Sequence, residues 1–233
     1  MLIVLNNKCN FNKSEFLSYQ KELANISSTN PIILCPSFLH ISNFSLDNCL
    51  LGSQNVSKDK NGSHTGEISA QQLKSYGVRY CIIGHSERRK QFQENAHDIG
   101  SKIKQLTQEG IIPILCIGEE NKEINPQNLH DIIINQTLDI IENLTNQEKE
   151  QLIIAYEPVW SIGTSTIPSN NQIEEVLSYI KEILPNNKIL YGGSVNENNI
   201  NELKKCHLID GYLIGGLSLI PKKLQKFIEN IEN

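Results

Sequence analysis

The sequence has no apolar run approaching the roughly 20 residues that cross a membrane, no block of basic residues and no Cys-x-x-Cys pair. It also has no Gly-x-Gly-x-x-Gly after its first strand-like run, and no linker, low-complexity tract or internal repeat. Each absence removes a class of protein. Without a long apolar run there is no membrane-spanning helix to expect. Lys and Arg number 21 against 26 Asp and Glu, a net charge of −5, so nucleic acid is not an expected partner. The six cysteines (Cys9, Cys35, Cys49, Cys81, Cys116 and Cys206) are scattered, which supports neither a disulfide framework nor a zinc site. Cys35, Cys49, Cys81 and Cys116 sit in or beside apolar runs and suit buried thiols. Met1-Leu2-Ile3-Val4-Leu5-Asn6 has no basic region ahead of its apolar residues and is too short for a signal peptide, so a first strand in a cytoplasmic protein is expected. With nothing to divide it, the chain is expected to form one domain over residues 1–233, long enough to bury a large core.

What is present is an alternation of short apolar runs with amphipathic ones. Strands are predicted near residues 2–6, 32–36, 49–54, 80–83, 112–117, 152–156, 188–191 and 211–214. Helices are predicted over 14–25, 69–76, 95–109, 125–141, 171–183, 198–206 and 221–228. In one of them Ile173, Val176, Leu177, Ile180, Ile183 and Leu184 recur at helical spacing as a single apolar stripe. Repeated strand-then-helix units imply a parallel sheet with right-handed crossovers, and about eight units in ~250 residues is the size of a closed (β/α)8 barrel of the α/β class. A doubly wound open sheet competes, without the glycine fingerprint that would favour it.

Functional groups of such a barrel collect where strands end. Ala155-Tyr156-Glu157-Pro158-Val159-Trp160-Ser161-Ile162-Gly163-Thr164 is the most informative strand end. Proline has no N–H and holds its predecessor extended, so Glu157 closes a buried strand and opens a loop. The two large apolar residues and the small ones after them suit a flap able to cover a carboxylate and exclude water. The first strand ends in Asn6-Asn7-Lys8, a fixed positive charge at the barrel mouth or an ordinary surface lysine. The fourth ends in Gly84-His85-Ser86-Glu87-Arg88-Arg89. If a helix opens there, its dipole disfavours the imidazolium and leaves a neutral donor; the alternative is a solvent-facing histidine. The seventh and eighth end in Gly192-Gly193-Ser194 and Gly215-Gly216, turns whose uncovered N–H groups suit an anion. A base, a neutral electrophile, a cation and an anion cradle on one face suit proton abstraction beside a carbonyl in a small phosphorylated substrate.

In these residues, taken in order over essentially the whole chain, the sequence resembles the triosephosphate isomerases. The resemblance is carried by Ile83-Gly84-His85-Ser86-Glu87-Arg88-Arg89, Ala155-Tyr156-Glu157-Pro158-Val159-Trp160, Ile162-Gly163-Thr164, Tyr191-Gly192-Gly193-Ser194-Val195 and Asp210-Gly211-Tyr212-Leu213-Ile214-Gly215-Gly216. Gln54-Asn55, Thr65-Gly66-Glu67-Ile68-Ser69 and Cys116-Ile117-Gly118-Glu119 support it. It implies a TIM barrel and the interconversion of dihydroxyacetone phosphate and D-glyceraldehyde 3-phosphate. Glu157 would be the base, His85 the electrophile and Lys8 the cation, with Asn6 lining the pocket and Glu87 holding the lysine from behind. The backbone N–H groups of Gly163, Ser194, Gly215 and Gly216 would hold the phosphate. A neutral electrophilic histidine under a closing loop is the established assignment for that family. No metal or organic cofactor is implied. A homodimer is, with the loop over residues 61–67 carrying Thr65 to the neighbouring subunit beside Lys8. A different phosphosugar barrel and a non-catalytic phosphosugar binder are the rival functions. The first should lack His85, Lys8 and Glu157 together, and a degraded binder should have lost the base or the electrophile.

The chain departs from the family pattern in three places. Asn7 and Cys9 flank Lys8 where tryptophan and methionine are usual, which is expected to loosen packing near the dimer contact. The flap continues Thr164-Ser165-Thr166 where glycine and lysine usually follow the threonine, which predicts altered opening kinetics. Leu217 follows Gly215-Gly216 where a small residue is usual, and would either crowd the pocket entrance or pack beneath the loop.

Overall fold

The computed structural model describes residues 1–164 and 166–233. Eight parallel strands follow one another around a closed barrel: β1 (Leu2–Asn6), β2 (Ile32–Cys35), β3 (Leu50–Ser53), β4 (Tyr80–Ile83), β5 (Ile112–Ile117), β6 (Ile153–Tyr156), β7 (Lys188–Tyr191) and β8 (Gly211–Ile214). β8 closes the ring on β1, with Leu2 opposite Gly211 and Leu5 opposite Ile214. The helices are α1 (Lys13–Leu23), α2 (Phe38–Ile41), α3 (Ala70–Ser75), α4 (Ser86–Phe92), α5 (Ala96–Gln108), α6 (Pro126–Ile141), α7 (Asn146–Glu150), α8 (Asn170–Ile183), α9 (Ile200–Leu203) and α10 (Pro221–Glu232).

Alternation along each strand sorts the apolar residues into two cores. Val4, Ile82, Ile114 and Leu190 fill the barrel, while Ile3, Leu5, Ile83 and Leu115 face outward against the helices. All eight are fully buried, so truncating any one to alanine should cost about 2–5 kcal/mol. The stripe expected on α8 is present: Ile173, Val176, Leu177 and Ile180 are buried on it, with Leu184 behind them.

Helix starts follow side-chain chemistry. Asn12 with Glu15, Ser69 with Gln72, Thr145 with Glu148 and Ser169 with Gln172 each form a reciprocal capping box. The last of these fixes the chain where it returns from the flap. α9 is shorter than expected because Asn196 and Asn199 bond the backbone of 196–199 into turns that compete with helix. No helix among the described residues is long and apolar enough to cross a membrane. All six cysteines are free; Cys9 is exposed and the others are buried. Burial pushes the Cys49 and Cys81 thiols up to about 12.

Candidate active site

The carboxyl ends of the strands surround a pocket of about 440 Å3 whose walls include Asn6, Lys8, His85 and Glu157. After β1 the chain turns at Lys8, which has φ +51°, a region that side chains disfavour. Two hydrogen bonds hold it there. Its N–H donates to Asn6 Oδ1 at 3.0 Å, and its carbonyl accepts from Gln54 Nε2 at 2.9 Å. The turn sends the lysine across the mouth to Glu87 Oε1 at 2.6 Å. On its way the stem passes Gly215 so closely that a Cβ there would stand 3.4 Å from Lys8 Cε.

His85 follows Gly84 at the end of β4 and forms the N-cap of α4. Its Nδ1 accepts the backbone N–H of Glu87 at 3.2 Å. A ring nitrogen that accepts carries no proton, so the ring hydrogen is on Nε2, which faces Glu157 Oε1 at 3.3 Å. The two residues leave 5% and 3% of their surface exposed. Burial pushes the imidazole pKa down and the Glu157 carboxylate pushes it up; the sum lies above the ordinary value. Lys8 opposes the rise.

Glu157 still belongs to the ladder, its N–H donating to Ile117 O at 2.8 Å before Pro158 ends the pairing. Glycine at 192 exists for this carboxylate. A Cβ there would lie 2.8 Å from Glu157 Cγ, and the Gly192 N–H already donates to Tyr156 O at 2.8 Å. This corrects the sequence-based expectation that the Gly192-Gly193 turn presents free N–H groups to an anion: Gly192 supplies room, and its donor is engaged in the sheet.

The flap begins with a 3-10 turn, Val159–Ser161. Trp160 Nε1–H donates to Glu119 Oε1 at 2.7 Å, and the Tyr156 hydroxyl reaches the same oxygen at 3.2 Å. Burial raises the Glu119 pKa, and these two donors lower it only in part. Ser161, fully buried, accepts the Ser194 N–H on its Oγ at 3.2 Å and the Ser194 hydroxyl on its carbonyl at 2.6 Å. Gly163 follows in the left-handed region at φ +75°. Gly163, Ser194, Gly215 and Gly216 line one end of the pocket, Gly163 and Gly216 being exposed. Ser165 lies outside the described residues; Thr166 N–H donates to Thr164 Oγ1 at 3.2 Å.

Two of the sequence departures resolve. Leu217 is buried in the core around the barrel and borders the pocket with its remaining surface. Asn7 is 1% exposed and its Nδ2 is hydrogen-bonded to Ser218 and Tyr19 inside the subunit, whereas Cys9 on the other side of Lys8 is exposed. Thr65 is exposed, as is the whole loop over 61–67.

Glu119 and Ser161 were legible in the sequence only as members of motifs, with no role of their own. Glu119 stands just beyond β5, so the strand-end rule applied there would have found it. Ser161 is a small residue in a loop, and nothing in the sequence distinguishes it.

Comparison with known proteins is consistent along the chain. The triosephosphate isomerase family model matches residues 1–231. A triosephosphate isomerase of Mesomycoplasma hyopneumoniae is 39% identical over 216 residues, covering 91% of this chain and 88% of the relative. One from Alkaliphilus metalliredigens is 35% identical over 233 residues, covering 94% of each. One from Synechocystis is 36% identical over 208 residues, covering 87% of this chain and 85% of the relative. The chain belongs to the triosephosphate isomerase family.

Proposed function

We propose that this enzyme interconverts dihydroxyacetone phosphate and D-glyceraldehyde 3-phosphate through an enediolate, in glycolysis and gluconeogenesis. The observation that carries the reading is the 3.3 Å approach of the Glu157 carboxylate to the proton-bearing Nε2 of His85, both nearly dry, with the Lys8 ammonium at the same mouth.

Glu157 takes a proton from the carbon beside the carbonyl. His85 donates Nε2–H to the oxygen on which negative charge develops, and Lys8 balances that charge. Once Glu157 has taken the proton it is neutral, and its upward pull on the imidazole disappears. Burial, Lys8 and the amide at Nδ1 then hold His85 neutral against the weaker pull of Glu87, the state in which it can donate and then move a proton between the two oxygens. Asn6 lines the pocket, and Glu87 holds Lys8 in place. The N–H groups of Gly163, Ser194, Gly215 and Gly216 hold the phosphate, for which Ser194 exchanges the Ser161 hydroxyl. Flap closure excludes water, which protects an enediolate that would otherwise expel its phosphate. Proton transfer of this kind calls on a carboxylate, an imidazole and an ammonium, with no metal or organic cofactor.

The chain works as a single cytoplasmic domain, residues 1–233, and as a homodimer in which the loop around Thr65 reaches the neighbouring subunit. An apolar hollow lined by Phe38, Leu39, Ile68 and Tyr76, with Leu39 83% exposed, supports the dimer. A solution mass of one chain at micromolar concentration would remove that part of the reading.

The test is a coupled isomerase assay on wild type beside Glu157→Asp. Withdrawing the carboxylate by about 1 Å should cost on the order of 100-fold in kcat with the fold intact. An inactive wild type that still binds 2-phosphoglycolate, a phosphorylated enediolate mimic, would make the protein a binder and overturn the reaction.

A further inference from the structure

The loop after β1 carries Lys8, and the 3-10 turn after β8, Gly216–Leu219, carries part of the anion cradle. β1 and β8 are neighbours in the ring, and three buried side chains join the loops across that seam. Asn7 Nδ2 donates to Ser218 Oγ at 3.2 Å and to the Tyr19 hydroxyl at 3.4 Å. Tyr19 in turn donates to the Ser218 carbonyl at 2.8 Å, and Ser218 Oγ to the Asn6 carbonyl at 3.4 Å. Asn7, Tyr19 and Ser218 are 1%, 4% and 0% exposed, so water does not compete for these bonds. Burial keeps the Tyr19 phenol protonated far above its ordinary range, so it remains a donor throughout the working pH range.

The surroundings hold the network still. Phe11 stacks on Tyr19 with centroids 4.8 Å apart, and His40 Nε2 donates to the Phe11 carbonyl at 2.9 Å. Both Lys8 and Phe11 occupy the left-handed region, at φ +51° and +70°, so this short loop keeps its shape only while its side-chain bonds hold it. Between the two loops, the Lys8 stem runs along Gly215. A shift of either loop therefore changes where the ammonium stands relative to the Gly215-Gly216 amides.

We propose that Asn7, Tyr19 and Ser218 act as positioning residues that set the spacing between the Lys8 ammonium and the phosphate-facing backbone of Gly215 and Gly216. The proposal rests on the roles given above to Lys8 and the glycine pair.

The test uses Tyr19→Phe and Ser218→Ala, each with Lys8 intact and in a Lys8→Ala background. KM, kcat, melting temperature and the dissociation constant of 2-phosphoglycolate are measured. With Lys8 intact, each variant should raise KM and the dissociation constant about three- to tenfold and leave kcat within about twofold, the scale of one lost neutral hydrogen bond. In the Lys8→Ala background the same substitutions should change the dissociation constant less than about twofold, because the group they position is gone. Equal losses in both backgrounds, or no change in KM, would overturn the proposal. If Tyr19→Phe fails to fold, Ser218→Ala, which removes one hydroxyl, carries the same expectation. A Lys8→Ala enzyme with unchanged kcat/KM and unchanged affinity would instead sink the role of the lysine, and this proposal with it.

Discussion

His85 and Glu157 face each other at 3.3 Å with almost no surface exposed, whereas Gly163 and Gly216, across the same pocket, are exposed with no atom within 4 Å of where a Cβ would stand. The proton-handling side is assembled by strand ends and short hydrogen bonds before anything binds. On the other side, Ser194 still gives its N–H to Ser161, and Gly163 sits on a flap in the left-handed region. The contrast assigns different work to rigid and movable parts. Groups whose mutual geometry sets the barrier belong to the barrel, and groups that grip a phosphate and shut out water belong to loops that must first admit it.

The widest separation of the two sides should come from one substitution made twice. Gly192→Ala puts a methyl 2.8 Å from Glu157 Cγ and 3.4 Å from its Oε1, so the carboxylate has to shift. Displacing the base by some tenths of an ångström to 1 Å should lower kcat about 100-fold. Gly216→Ala adds the same methyl to open space and keeps the N–H, so kcat/KM should stay within about threefold. Steady-state kinetics on both variants decide it. Equal losses would mean that the glycines serve the two sides alike and that the contrast is wrong.

Both the fold and the proton-handling side could be read from sequence because they depend on patterns with a period or a covalent cause. Every predicted strand is present to within two residues at each end, since runs such as Ile112–Ile117 are apolar on both faces and bounded by polar turns. Glu157 stood out because Pro158 must end its strand. Elements without an apolar stripe were not visible in that way. α4 and α7 bury none of their residues, so hydrophobic periodicity does not register them; the Thr145-Glu148 capping box was the signal for α7. The flap's ties to Glu119 and Ser194 bring together residues more than 30 positions apart, a proximity created by barrel closure that no local pattern encodes.

The flap is where the two sides meet, and Glu119 joins them. Its Oε1 accepts from both Trp160 and Tyr156, so Glu119→Leu removes the side-chain tie to the flap and leaves only the Val159 N–H bond to the Glu119 carbonyl, while Glu119→Gln leaves an acceptor oxygen in place. Losing one charge-assisted hydrogen bond is worth about tenfold, so kcat/KM should fall by about that factor in Glu119→Leu and by less than about threefold in Glu119→Gln. Trp160 is the only tryptophan, so its fluorescence reports the flap directly. A Glu119→Leu enzyme with unchanged emission and unchanged turnover would show that the flap is held elsewhere.

The smallest effect tests how the proton-handling pair is coupled. In the folded protein the His85 pKa lies above its ordinary 6.5: burial is the largest single influence and lowers it, but the Glu157 charge and hydrogen bond, with Glu87, together raise it further than burial and Lys8 lower it. A histidine raised in this way binds its proton more tightly folded than unfolded. Its contribution to stability is fully present below the unfolded value and is lost as pH rises through the folded one. Glu157→Gln removes the charge and leaves burial, Lys8 and the Glu87 amide, which favour the neutral ring, against the weaker upward pull of the Glu87 carboxylate 3.7 Å from Nδ1. The folded pKa should then drop below 6.5, and the slope reverses: stability now falls as pH falls through the unfolded value. Titrating His85 by NMR in wild type and Glu157→Gln, with melting temperatures between pH 5 and 8, measures both. A midpoint that does not move down in Glu157→Gln would mean that the carboxylate does not control the imidazole. His85 would then not become neutral through protonation of Glu157, and the electrophile would have to be kept uncharged by burial, the helix start and Lys8.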